Sequence, residues 1–270
     1  MLESHIARWM NSGGYRFDRT TDPDGTMRFT LRFSALPPEW SLLIGEAVHG
    51  LRASLDHLVY GLAALEQGRP LTLDEARKTE FPIYGADPFT PGLQERKVGL
   101  LNEGSQRIIR ALQPHGSLDY RKTKLWVLSL LDNRNKHRMI EPSLMAYSAI
   151  MPRFAWTGEV TMVTPGSPLH DGLEVFSGKP ADQNQRLDVL ASMIVVFPWN
   201  DPETQGVIDG IGVLTVLRDL HEHVRMIHRE LLVDAGYGSP FLTASNVPAE
   251  AYEQDEELER QRQAFTADDR

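Results

Sequence analysis

Cysteine is absent from the 270-residue chain. That absence removes disulfides, a thiolate nucleophile and cysteine-ligated zinc together. Long apolar runs are missing too. No stretch approaches the roughly 18 consecutive apolar residues of a membrane span, and the opening MLESHIARWMNSGGYRFDRT has no run of signal-peptide character. A soluble, cytoplasmic chain without a membrane partner is the expectation. Positive charge is also scarce. The 28 Lys and Arg stand against 37 Asp and Glu, a net charge of −9, which argues against general DNA binding because a phosphate-backbone binder needs a cationic surplus.

Hydrophobic residues make up 41% of the chain, enough for a well-buried core. Residues 27–36, MRFTLRFSAL, set Met27, Phe29, Leu31 and Phe33 against Arg28, Thr30, Arg32 and Ser34. That period of two predicts a half-buried strand after the DPDG turn. From 39 to 67 the apolar positions Ile44, Val48, Leu51, Leu55, Leu58, Leu62 and Leu65 recur at steps of three and four, a long amphipathic helix. Residues 69–104 read as mostly irregular, broken by Pro70, Pro82, Pro88 and Pro91. A short helix is predicted over 103–114, and a second strong one over 119–138 through Leu125, Leu128 and Leu131. Strand-like segments punctuated by Gly and Pro fill 139–199. The span 202–236 returns to helix through Leu214, Leu217, Leu220, Val224, Ile227 and Leu231, with Gly236 as its cap. Helices, then strands, then a helix predict an α+β fold: a small bundle of three main helices (39–67, 119–135 and 203–235) packed against a mostly antiparallel sheet. One domain is expected over 1–240, followed by a polar, flexible or frayed-helical tail over 241–270.

Polar residues crowd the first long helix. Glu46, Gly50, Ala53, His57, Gly61 and Ala64 share one face, where small side chains would admit a second helix. Arg52 and Asp56 are spaced to pair at i, i+4. Glu46 and His49 form the half-motif of di-iron bundles, but no second half occurs in the chain. Arg52…His57 also has the Arg-to-His spacing of HEPN-type ribonucleases, as do Arg110…His115 and Arg218…His223; there a His serves as acid or base and an Arg steadies phosphate charge. A second cluster closes the 119–138 helix. Lys136, His137 and Arg138 follow Asn133 and Asn135, and basic residues are favoured in a last helical turn by the helix dipole. The functional reading of this cluster is an anion cradle.

Four stretches, IGEAVHGLRASLDHLVYGLA, TEFPIY, ALQP and LSLLDNRNKHR, resemble in order a group of uncharacterised bacterial proteins, often of actinobacterial or phage type. Their pattern runs GEAxHNLRSALDHLxxxLA, EFPI, LQPY, LNNIDKHR. The likeness covers about residues 44–140 and carries over Glu46, His49, Arg52, Asp56, His57, Lys136, His137 and Arg138. Gly50 replaces an Asn of that pattern and Asn135 an Asp; the second change removes a carboxylate beside Lys136 and His137. The resemblance names relatives and implies no reaction or cofactor. The working expectation is one pocket in which His57, His137, Arg52 and Asp56 are catalytic, and Glu46, His49, Asn133, Lys136 and Arg138 bind the ligand. Three functions compete. The first is a site for a phosphate- or nucleotide-like anion or RNA, with HEPN-like cleavage. The second is a non-catalytic scaffold locked by the DH and KHR motifs. The third is a metal-dependent enzyme using Glu46, His49, Asp56, His57 and His137. Partners left open are a small anion, RNA and a further copy of the chain as a homo-oligomer.

Overall fold

The computed structural model describes residues 1–85, 93–147, 151–152, 156–181, 189–190, 193–198, 202 and 204–237. The expected tail over 241–270 lies outside the described residues. Helix α1 (Leu2–Asn11) leads into a hairpin of β1 (Tyr15–Thr21) and β2 (Met27–Phe33), in register from Tyr15 opposite Phe33 to Thr21 opposite Met27. Its turn uses Gly25 at φ 87°, a left-handed conformation that glycine adopts without Cβ strain. The predicted alternation holds in β2. Met27, Phe29 and Leu31 are buried, while Arg28 pairs with Asp22 and Glu174, and Arg32 with Asp18. Strand β1 was not expected. Its sequence, YRFDRTT, is too polar to show alternation, and it forms as a solvent-facing edge recruited by the turn.

Helix α2 (Pro38–Glu66) starts on a proline, tolerated where the amide would be unsatisfied anyway. It buries Trp40, Ile44, Val48, Leu55, Val59 and Leu62. The buried stripe is rotated from the predicted one: Val59 and Trp40 lie in the core, whereas Leu65 is exposed. The small-residue face is also reassigned. Gly50 and Gly61 have open space where a Cβ would stand, so no helix docks there among the described residues. The stretch after α2 is less irregular than its prolines suggest. Helix α3 (Leu73–Lys78) carries a capping box from Thr72 to Glu75, and α4 (Leu93–Val98) follows. Helix α5 (Glu103–Ala111) is capped by Asn102.

Helix α6 (Lys124–His137) begins five residues later than expected. Thr123 caps it, accepting from the Trp126 amide, and a short 3-10 turn over Tyr120–Lys122 precedes it. The strands beyond are β3 (Ser143–Ala146), β4 (Met151–Pro152), β5 (Trp156–Met162), β6 (Pro168–Leu169), β7 (Glu174–Pro180), β8 (Val189–Leu190) and β9 (Met193–Val196). Helix α7 (Val213–Asp234) is shorter than predicted, because Gly206 and Gly210 at positive φ hold the preceding residues in turns. Tyr237 N–H donates to the Leu232 carbonyl across Gly236 at φ 80°, the expected glycine stop.

The fold is α+β, and its strand ladders are antiparallel. The single expected sheet is instead three among the described residues, ordered β1-β2-β7-β5, β6-β3-β9 and β4-β8. Helices α2, α6 and α7 touch one another pairwise. No helix among the described residues is long and apolar enough to cross a membrane.

Candidate functional site

The chemistry-bearing residues gather along the seam between α2 and α6. Gly45 lies against Asn135, so closely that a Cβ would fall 2.1 Å from the Asn135 Oδ1. Four residues on, His49 Nδ1 is 3.1 Å from Asp132 Oδ1. Going forward on α2 therefore means going back on α6, and the helices are antiparallel. That register separates the two histidines expected to meet. His57 is twelve residues past Gly45 and His137 two past Asn135, in opposite directions. At about 1.5 Å per residue they stand about 21 Å apart along the seam. Both are exposed, and the shared His57–His137 pocket is not formed.

Arg52 and Asp56 do pair, at 3.1 Å. Both also hold the backbone of Phe81. Arg52 Nη2 donates to the Phe81 carbonyl at 2.7 Å, and the Phe81 amide donates to Asp56 Oδ1 at 2.9 Å. Gln113 grips the next residues of the same segment. Its Nε2 donates to the Pro82 carbonyl at 2.9 Å, and its Oε1 accepts the Tyr84 amide at 3.0 Å. Proline and loop backbone cannot satisfy themselves in a buried place, so these side chains supply the missing partners. Glu80 adds an ion pair to Lys97. Burial first, then the Arg52 charge, draws the Lys97 ammonium below the usual lysine range, against the pull of Asp56. The LRxxLD, EFPIY and LQP stretches are thus one interlocked clamp.

Between the two gripped points sits Ile83, and it faces a groove along α6 of about 410 Å³. Ile83, Trp126 and Leu130 make its apolar wall; Asn133, Arg134, His137 and Arg138 make its polar edge. Tyr120 packs edge-to-face on Trp126 at 4.9 Å. Gly85 is required there, since a Cβ would meet the indole at 2.5 Å. Of the expected ligand-binding residues, Asn133 and Arg138 line this groove, joined by His137 from the expected catalytic set. Glu46, His49 and Lys136 are not among its lining residues; Lys136 is tied to Asp132 Oδ2 at 2.7 Å. A larger cavity of about 580 Å³ lies at the β1–β2 hairpin, lined by Arg16, Asp18, Arg32 and Asp171 among others. Its charges pair with one another, and it holds none of the four motif stretches.

The other Arg-to-His matches are dispersed. Arg218 is ion-paired to Glu3 of α1, and His223 is half-buried. No group of three or more His, Cys, Asp or Glu able to hold a metal is gathered among the described residues, so Glu46, His49, Asp56, His57 and His137 do not converge as a ligand set.

Sequence reasoning passed over Asp132 and Gln113. Asp132 had a signal. It continues the Leu125, Leu128 stripe at helical spacing and precedes Lys136 by four, a carboxylate in the apolar face. Gln113 had none, because a lone amide before a proline has no periodic partner. Comparison of the chain with protein-family models, curated proteins and solved structures finds no match.

Proposed function

We propose that this protein binds a small phosphate-bearing, nucleotide-like ligand in the groove beside the last turns of α6. The observation that carries the reading is the composition of the groove. An aromatic and aliphatic wall faces an edge of amide, imidazole and guanidinium groups, in a volume that suits a small ligand. Arg supplies a planar fork for phosphate oxygens, and Asn a directed donor. The helix dipole opposes an anion at this end with about half a charge, and a ligand phosphate would bind by the directed donors of the groove edge. The clamp gives the motif stretches a common purpose, because it fixes Ile83 on the groove wall. HEPN-like cleavage of RNA is not carried into the proposal: it would need Arg52 on a phosphate, and that guanidinium is held inward on Phe81 and Asp56 with its Nη1 buried.

The test is a titration of labelled protein with adenosine monophosphate and with inorganic phosphate, followed by amide and indole NMR shifts. Saturable shifts confined to 126–138 and the Trp126 indole are expected, lost in Arg138→Ala and His137→Ala. No saturable shift with either probe at millimolar concentration would overturn the reading.

A second reading, the non-catalytic scaffold, is favoured by the clamp itself. Arg52, Asp56 and Gln113 each hydrogen-bond loop backbone. It predicts large stability losses on cutting the clamp and no saturable ligand.

A further inference from the structure

We propose that His49 is a nucleophilic imidazole that accepts a phosphoryl group at Nε2 from a small phosphoramidate or acyl phosphate donor, with Asp132 as its positioning residue. This site stands apart from the groove and does not depend on it.

Asp132 is 2% exposed and sits in the apolar stripe of α6. A carboxylate there is tolerable only with its oxygens satisfied. Among the described residues each oxygen has one partner: Oδ1 the His49 ring, Oδ2 the Lys136 ammonium. Asp132 is ion-paired to the Lys136 ammonium, and a carboxylate in such a pair only accepts. The His49 proton therefore belongs on Nδ1, which leaves the lone pair on Nε2. The His49 side chain is 61% exposed. The next residue, Gly50, has open space where a Cβ would stand. An imidazole with one nitrogen held by a buried carboxylate and the other open to solvent is arranged for attack, because the carboxylate compensates the positive charge that develops on the ring.

The phosphoryl class follows from Lys136. One of its donors is used on Asp132, and the rest remain for phosphoryl oxygens beside the ring. Glu46, exposed one turn before His49, opposes an anionic donor, and the Lys136 charge offsets it. With phosphoramidate, Nε2 attacks phosphorus and forms the N–P bond. The P–N bond to the leaving nitrogen breaks, and ammonia departs from the N-protonated donor. The Nδ1 proton stays between the ring and Asp132. No oxidant or second reactant is required.

The chain carries its own control. His221 is equally exposed at 63%, but its Nδ1 lies 3.6 Å from Glu222, an exposed carboxylate already bound by Arg225. The full chain is incubated with phosphoramidate, and phosphoryl occupancy of each histidine is followed by phosphorus NMR and by peptide mass spectrometry at alkaline pH. His49 should label at least about tenfold faster than His221, and Asp132→Asn should slow His49 about 10-fold or more while leaving His221 unchanged. Nitrogen NMR should show the Nδ1–H tautomer at His49. Equal rates at His49 and His221 would overturn the proposal, as would an unchanged His49 rate in a folded Asp132→Asn. If that variant loses its helical circular dichroism, the competition within the unmodified chain decides alone.

Discussion

Two successive turns of α2 each send a polar side chain to a carboxylate, Arg52 to Asp56 on the same helix and His49 to Asp132 on α6, and the two pairs differ in what they leave over. At the Arg52–Asp56 end, both side chains close on the Phe81 backbone, and the Arg52 side chain is 15% exposed. At the His49–Asp132 end, the carboxylate is buried while both of its partners, the imidazole and the Lys136 ammonium, face water. The first arrangement turns inward: Arg52 bonds through Nη2 to Phe81 and Asp56, and its Nη1 is buried without a hydrogen-bond partner among the described residues. The second anchors one ring nitrogen and leaves the other unused. A polar pair on a helix is therefore judged by what remains after the fold has taken its share: the clamp is architecture, and the His49 end retains chemical capacity.

Leu55 lies on the buried side of α2 within the Arg52–Asp56 end, six residues past His49 on the helix that carries both ends, with no exposure. Leu55→Ala should cost about 2–5 kcal/mol through lost burial and the cavity left behind. Both ends should loosen together, since they share this support. The measurement is denaturant unfolding with hydrogen exchange at residues 45–56. A loss confined to one end would mean the two are independently supported.

Arg52→Ala should separate the ends. It strips the Phe81 carbonyl of its donor and Asp56 of its cation in a part-buried place, at about 1–3 kcal/mol. Amide exchange should rise over 81–84 while signals of His49 and Asp132 stay fixed. Equal disturbance at the His49 end would erase the distinction drawn above.

These differences were unevenly legible. The long helix and its pairing of Arg52 with Asp56 follow from spacing alone, because helical periodicity is local. Strand alternation likewise exposed Met27, Phe29 and Leu31 as core. What spacing cannot carry is the register between helices. His57 and His137 were expected to meet, and the contact fell instead to His49 and Asp132, because Gly45 lets α2 approach α6 at Asn135. The destination of Arg52, a backbone carbonyl 29 residues on, is equally invisible: a loop carbonyl leaves no mark in the sequence.

Acid should act on the clamp end first. His228 of α7 hydrogen-bonds the Ser54 backbone, and its Nε2 is buried without a partner. Burial holds its imidazole below the ordinary histidine value against that hydrogen bond, and burial followed by the Lys124 charge does the same to His223. The unfolded chain takes up protons near pH 6.5, where the native state still resists. Stability should be unaffected by these groups above that pH and should fall as pH drops below it. Exchange at 52–56 should rise before exchange at 45–49. His228→Gln should flatten the acid limb of a melting-temperature profile, and an unchanged limb would show that His228 is not its source.

The smallest effect is expected at His49. Its ring is mostly in water, and among the described residues its one polar side-chain bond is to Asp132. Removing it leaves Asp132 still paired with Lys136 at 2.7 Å, and because the departing ring is 61% exposed, the space it vacates opens to water that can replace the imidazole. The carboxylate is then not abandoned, which is the condition that makes cutting a buried pair expensive. His49→Ala should thus shift stability by no more than about 0.5 kcal/mol, against the larger loss at Arg52. Urea unfolding of both variants side by side checks this. A loss at His49 matching that of Arg52→Ala would show that the imidazole is spent on the fold as fully as the guanidinium is, and the contrast between the two ends of the seam would close.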